Sequence, residues 1–248
     1  MESLALKIGI LFFAPLIAGL LIYLVPVVQS RNYKLLLVFA GSYLFAITVV
    51  HVFPALYSSR QEMEIIGMFV LVGFFLQQGL EYFSSGIEHG HIHGRTGLHG
   101  EGSSLVLLVA LCVHAFLEGG ILVQPIPLGI AANTNTILLG IVLHRAPAAF
   151  ALMAVVRSQL NSTRKAIPYL LAFSLAAPTG LLVNAFLIEA DIVAQSGLVF
   201  LYAVVCGNFL HISTTIVFES SPEHHFHAKR LAVAVLGSLV AVASEMMM

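Results

Sequence analysis

Eight blocks of mostly apolar residues, each close to the ~20 residues needed to cross a hydrocarbon core, run through this chain with only short polar punctuation between them. They lie at roughly 5–28, 33–57, 63–85, 104–125, 136–157, 166–188, 195–218 and 229–247. In lipid, every backbone N–H and C=O must find its partner inside the protein, so open blocks of this length predict helices. The expected fold is therefore an all-α integral membrane protein, a single transmembrane domain over 1–248 with eight transmembrane helices. Composition agrees: 59% of the residues are hydrophobic and only 9% charged, against about a quarter charged in a soluble domain. The first block has no convincing small-residue cleavage site and is long enough to cross, so it is read as a span and not as a removed signal. A net charge of −1 gives no electrostatic reason to expect nucleic acid as a partner. Cys112 and Cys206 fall inside apolar blocks, form no C-x-x-C motif, and read as small buried hydrophobes.

An even number of spans puts both termini on one side, and the distribution of Lys and Arg says which. Eight of the eleven basic residues, Arg31, Lys34, Arg95, Arg157, Arg164, Lys165, Lys229 and Arg230, fall around the connections 1–2, 3–4, 5–6 and 7–8. The opposite side holds only Lys7 and Arg60, and it carries the acidic Glu62, Glu64, Glu189 and Asp191. Both termini are expected outside, in a multi-pass protein of the plasma membrane or a bacterial inner membrane.

The connection at 84–103 differs from everything around it. It sets Glu88, His89, His91, His93, His99 and Glu101 among glycines, a composition that builds no core. A second polar cluster, Glu223, His224, His225 and His227, lies between the seventh and eighth spans. By the orientation above all seven of these histidines are cytoplasmic. Neutral imidazole is a common ligand for borderline metal ions, so both loops are expected to contact metal.

Charged and titratable groups inside spans are costly and are functional candidates for that reason. Six stand out: His51, His114, Glu118, His144, Arg145 and His211. The spacing His114-Ala-Phe-Leu-Glu118 puts two potential ligands on one helical face. His114 lies ten residues past Ser104, roughly 15 Å into the fourth span, and His144 eight residues past Thr136, roughly 12 Å into the antiparallel fifth. The three groups thus reach similar depth near the midplane, flanked by Gly119, Gly120, Pro125 and Pro147, which allow close backbone approach. This pattern points to an intramembrane metal site. Its alternatives are an interhelical hydrogen bond or a Glu118–Arg145 ion pair.

These same residues resemble the signatures of the ZIP divalent metal transporters. His114-Ala-Phe-Leu-Glu118-Gly119 is similar to the family's His-x-x-x-Glu/Asp-Gly in the fourth helix, and His144-Arg-Ala-Pro147 to its fifth-helix motif. His51-Val-Phe-Pro54 resembles the His-x-x-Pro end of the second helix, and Pro178-Thr-Gly180 the Pro-x-Gly of the sixth. Eight spans, outward termini and a histidine-rich third loop also match. The resemblance implies an inverted-repeat bundle that is not an enzyme and passes divalent ions into the cytoplasm: Zn²⁺ first, with Fe²⁺, Mn²⁺ or Cd²⁺ as alternatives. It implies a primary site of His114, Glu118 and His144, with His51 and His211 as gate or relay groups. Two departures follow. The family's usual fifth-helix Glu falls at Ala148, and the second-metal positions are Ala115 and Arg145, so Arg145 reads as a cation standing in for a second ion.

Two other functions fit part of the pattern. A membrane-embedded zinc hydrolase would need a general base that the fourth and fifth spans lack, and a haem b protein would use histidine pairs as axial ligands and be coloured. The expected partners are divalent metal ions and the bilayer, with a second copy of the chain in a homodimer as a further candidate.

Overall fold

The computed structural model describes residues 4–24, 31–59, 61–84, 101–123, 134–193, 195–219 and 228–247, and every regular element among them is helical. In chain order these are α1 (Leu4–Leu20, continued by a 3₁₀ turn Leu21–Tyr23), α2 (Arg31–Ile47), a π-helical turn (Thr48–Val52), α3 (Phe53–Tyr57) and α4 (Met63–Ser84). They are followed by α5 (Glu101–Gly120), α6 (Thr134–Leu160), α7 (Thr163–Glu189), α8 (Gln195–Glu219) and α9 (Ala228–Met247). Together α2, the π turn and α3 make up the second apolar block.

Seven of these rods are long and apolar enough to cross a membrane, the length and composition of a multi-pass membrane protein. The fourth block is the exception. Its apolar helical part is Ser104–Gly120, about 25 Å of rise, shorter than the expected 104–125. Gly119 and Gly120 end the helix, and the Leu122 N–H turns back to the Gly119 carbonyl at 3.1 Å. At its other end α5 starts at Glu101, inside the stretch assigned to the polar loop.

The π turn has a local cause. Pro54 has no N–H to give to the carbonyl four residues back, and the helix passes this point by widening: the Phe53 N–H reaches the Thr48 carbonyl, five residues back. His51 sits in that turn and is buried.

The helices pack as two groups of four rods. In the first, α1 lies against α6 and α7, and α5 against α7. In the second, α2 lies against α9 and α8, and α4 against α8. One core belongs to the first group alone and runs through Leu111, Ala115, Leu152, Met153, Leu170 and Phe173. A larger one joins the groups through Tyr43, Ile141, Leu181, Tyr202 and Phe209. Large apolar side chains such as Phe13, Ile17, Phe75 and Leu239 remain more than half exposed, as a lipid-facing surface requires.

Each group contains a crossing where two glycines let backbones meet with no side chain between them. A Cβ on Gly119 would run into the Ala177 carbonyl and one on Gly180 into that of Phe116, which locks α5 to α7. A Cβ on Gly73 would meet the Val204 carbonyl and one on Gly207 that of Val70, which locks α4 to α8. Small residues at such contacts replace the hydrophobic driving force that lipid cannot supply.

Candidate metal site

The α5–α7 crossing sets the position of the site, because Glu118 immediately precedes Gly119. His114 lies one turn earlier on the same helix face, its Nε2 3.0 Å from Glu118 Oε1. From α6, the Nε2 of His144 approaches the same oxygen at 2.7 Å. All three side chains are buried, and each offers a ligand atom within 4.8 Å of the others. The two imidazole rings stand 5.9 Å apart, and Phe209 of α8 closes over His144 at 6.4 Å.

The tautomer of His144 follows from its other nitrogen. Nδ1 lies 2.9 Å from the Gly140 carbonyl, which can only accept, so Nδ1 donates and the neutral ring keeps its lone pair on Nε2. Outer hydrogen bonds of this kind orient histidine ligands toward metals. Glu118 is fully shielded from solvent, and a buried carboxylate is costly unless cations or donors converge on it. Two imidazoles on one carboxylate oxygen give a nitrogen–nitrogen–oxygen donor set suited to a divalent ion of zinc's type.

Arg145 is 1% exposed and does not snorkel. The ion pair with Glu118 offered as an alternative does not form among the described residues. Instead Nη2 donates to the Phe173 carbonyl at 2.9 Å, and the guanidinium carbon sits 4.7 Å over the Phe173 ring. A small cavity touches His114, His144 and Arg145 and continues past Leu111, Ala148 and Ile212. Ala148 therefore faces the space beside the ligands but adds no donor to it.

The structure does not bring His51 or His211 to this site. His51 Nδ1 pairs with Glu245 of α9 at 2.5 Å, and Thr136 donates to the other oxygen of Glu245 at 3.0 Å. His211 Nε2 pairs with Glu81 of α4 at 2.6 Å, its ring edge-on to Phe74. Sequence reasoning passed over Glu245; a lone carboxylate in the last turn of an apolar helix was the available signal. Lys7, expected on the outer side, lies within α1, 7% exposed, and its ammonium is bonded to the protein interior between the end of α5 and the start of α6. The seven loop histidines, His89, His91, His93, His99, His224, His225 and His227, lie outside the described residues. Both cysteines are free thiols, Cys206 buried and Cys112 partly so.

No protein-family model matches the chain, and no curated protein matches it in sequence.

Proposed function

We propose that this chain moves divalent metal ions, Zn²⁺ foremost, across a membrane into the cytoplasm through the site formed by His114, Glu118 and His144. The observation that carries this reading is the convergence of two imidazole nitrogens on one fully buried carboxylate oxygen, in a bundle where seven helices are long and apolar enough to cross a membrane. Such a site must hold its ion selectively yet release it. Three protein donors with an adjoining small cavity suit that requirement, since a tetrahedral ion held by them keeps a fourth position that the protein does not fill. The ZIP-like motifs support the same reading, as do the two four-rod groups, which give a bundle a way to expose a central site alternately. Eight crossings with both termini outside remain the preferred topology, in the plasma membrane or a bacterial inner membrane. The basic residues support it, since only Lys7 and Arg60 fall on the outer side.

The test is uptake of Zn²⁺ into sealed proteoliposomes by the intact chain and by Glu118→Ala. Uptake by the intact chain that the variant loses is the expected result. Equal uptake by both would overturn the assignment of the site.

A further inference from the structure

Two consecutive glycines give the last turn of α5 little helical propensity of its own, and Glu118 stands directly before them. The four carbonyls from Gly119 to Leu122 are nevertheless all partnered. The Gly119 carbonyl takes the Leu122 N–H. The next three carbonyls take side chains from three other helices: Asn184 Nδ2 of α7 donates to Gly120 at 2.6 Å, the Tyr202 hydroxyl of α8 to Ile121, and Lys7 Nζ of α1 to Leu122 at 3.2 Å.

Lys7 does more than complete this set. Its ammonium also donates to Thr134 Oγ1 at 2.7 Å, in the first turn of α6. One buried cation thus ties the end of the helix that carries Glu118 to the start of the helix that carries His144, across the connection between them. Glu118 lies four residues before Leu122, and His144 ten residues after Thr134. The positive end of Lys7 also suits the negative terminus of α5. A lysine buried this far needs strong partners, and these carbonyl and hydroxyl oxygens are among them.

We infer that Lys7 is a positioning residue for the metal site: it acts with Asn184 and Tyr202 through the carbonyls of Gly120, Ile121 and Leu122, at and just beyond the end of α5, to hold Glu118 in register with His144. The inference rests on the reading of His114, Glu118 and His144 as ligands. It assigns no contact between Lys7 and the ion.

The test uses the full chain with the seven loop histidines changed to Ser, so that metal bound at the membrane site is seen alone. Co²⁺ serves as the probe, because its visible absorption reports coordination geometry as well as occupancy. Lys7→Met should bind Co²⁺ about tenfold more weakly, the scale of effect for groups that orient ligands, with altered visible bands. Lys7→Arg keeps the charge and the donors and should recover most of that loss. Tyr202→Phe removes one oxygen and should weaken binding by a smaller factor in the same direction. Size-exclusion elution as a single species shows that each variant is folded. Unchanged affinity and spectrum in Lys7→Met would overturn the inference. So would tighter binding, which would mean that the lysine acts only as a repelling charge. Should Lys7→Met fail to fold, Tyr202→Phe decides by the same measurement, and wild-type affinity there overturns the proposal. Failure of the ligand reading is distinguishable, because the background chain would then bind Co²⁺ no better than its Glu118→Gln variant.

Discussion

Histidine meets carboxylate in both four-rod groups, but in different ratios. In the first group two imidazoles share one oxygen of Glu118, which is sealed from solvent. In the second, His51 and His211 each have a carboxylate of their own, and those carboxylates keep part of their surface exposed, 24% for Glu245 and 18% for Glu81. A one-to-one pair is nearly complete in itself: the imidazole takes one carboxylate oxygen, and at Glu245 the Thr136 hydroxyl donates to the other. Two nitrogens crowded on one buried oxygen form an arrangement that a divalent cation completes, because the ion replaces contacts the pair of rings makes poorly on its own. The same residue types thus build a candidate metal site in one group and one-to-one histidine–carboxylate pairs in the other.

The largest expected effect breaks the comparison at its centre. Glu118→Ala should reduce proteoliposome uptake to the level of empty vesicles, because it removes the only carboxylate within the ligand cluster. His51→Ala should leave measurable uptake, since its partner Glu245 is partly solvated and keeps a hydrogen bond from Thr136. Equal and complete loss from both changes would move the essential site to the end of the bundle where His51 lies.

The two glycine crossings permit a sharper comparison, because they share a geometry and differ in what they carry. Gly119→Ala and Gly73→Ala each push a methyl into a facing carbonyl, of Ala177 and Val204 respectively. Each should lower thermal stability in detergent, by an overpacking cost of about 1–3 kcal/mol. Only Gly119→Ala should also weaken metal binding, since it displaces α5 beside Glu118. If Gly73→Ala weakened binding as much, the site would depend on the second group's packing and the division between the groups would not hold.

What the sequence revealed and what it hid divide along the same physical line. The helices were legible because a span's apolar length is a local property. The pairing of His114 with Glu118 was legible because four residues make one helical turn, and His144 joined them by depth counting on an adjacent helix. The partner of His51 was not legible: Glu245 is 194 positions away, and only tertiary packing brings the two together. The burial of Lys7 was hidden for a related reason. A basic residue near the start of an apolar block looks like a loop charge until Leu122 and Thr134 are seen to receive it. Arg145 was correctly read as internal, but the Phe173 carbonyl and ring that hold it lie on α7, which no spacing within α6 indicates.

A smaller effect on transport is expected from the polar loops. Changing His89, His91, His93, His99, His224, His225 and His227 together to Ser should lower the total zinc bound by purified protein while uptake persists. Loop ligands raise the amount of metal held near the bundle, but the buried cluster stays intact. Complete loss of uptake in a folded, membrane-inserted variant would place essential chemistry in the loops.

The smallest expected change in transport, and the finest test of the buried cluster, concerns Arg145. It follows His144 by one residue, about 100° around α6, and its guanidinium borders the cavity that also touches both imidazoles. Held by Phe173, the charge cannot swing out to water, so any second ion entering that cavity meets a fixed cation at close range in a medium of low dielectric. The background lacking the seven loop histidines should therefore bind one Zn²⁺ per chain. Arg145→Met removes the repulsion without adding a ligand and should still bind one. Arg145→Asp exchanges the cation for a carboxylate beside His144 and should raise the count to two. Metal analysis of folded, detergent-purified protein separates the cases. Two ions bound with Arg145 intact would show that the guanidinium does not exclude a second ion, and a count of one in Arg145→Asp would show that the cavity cannot house one even when its charge is reversed.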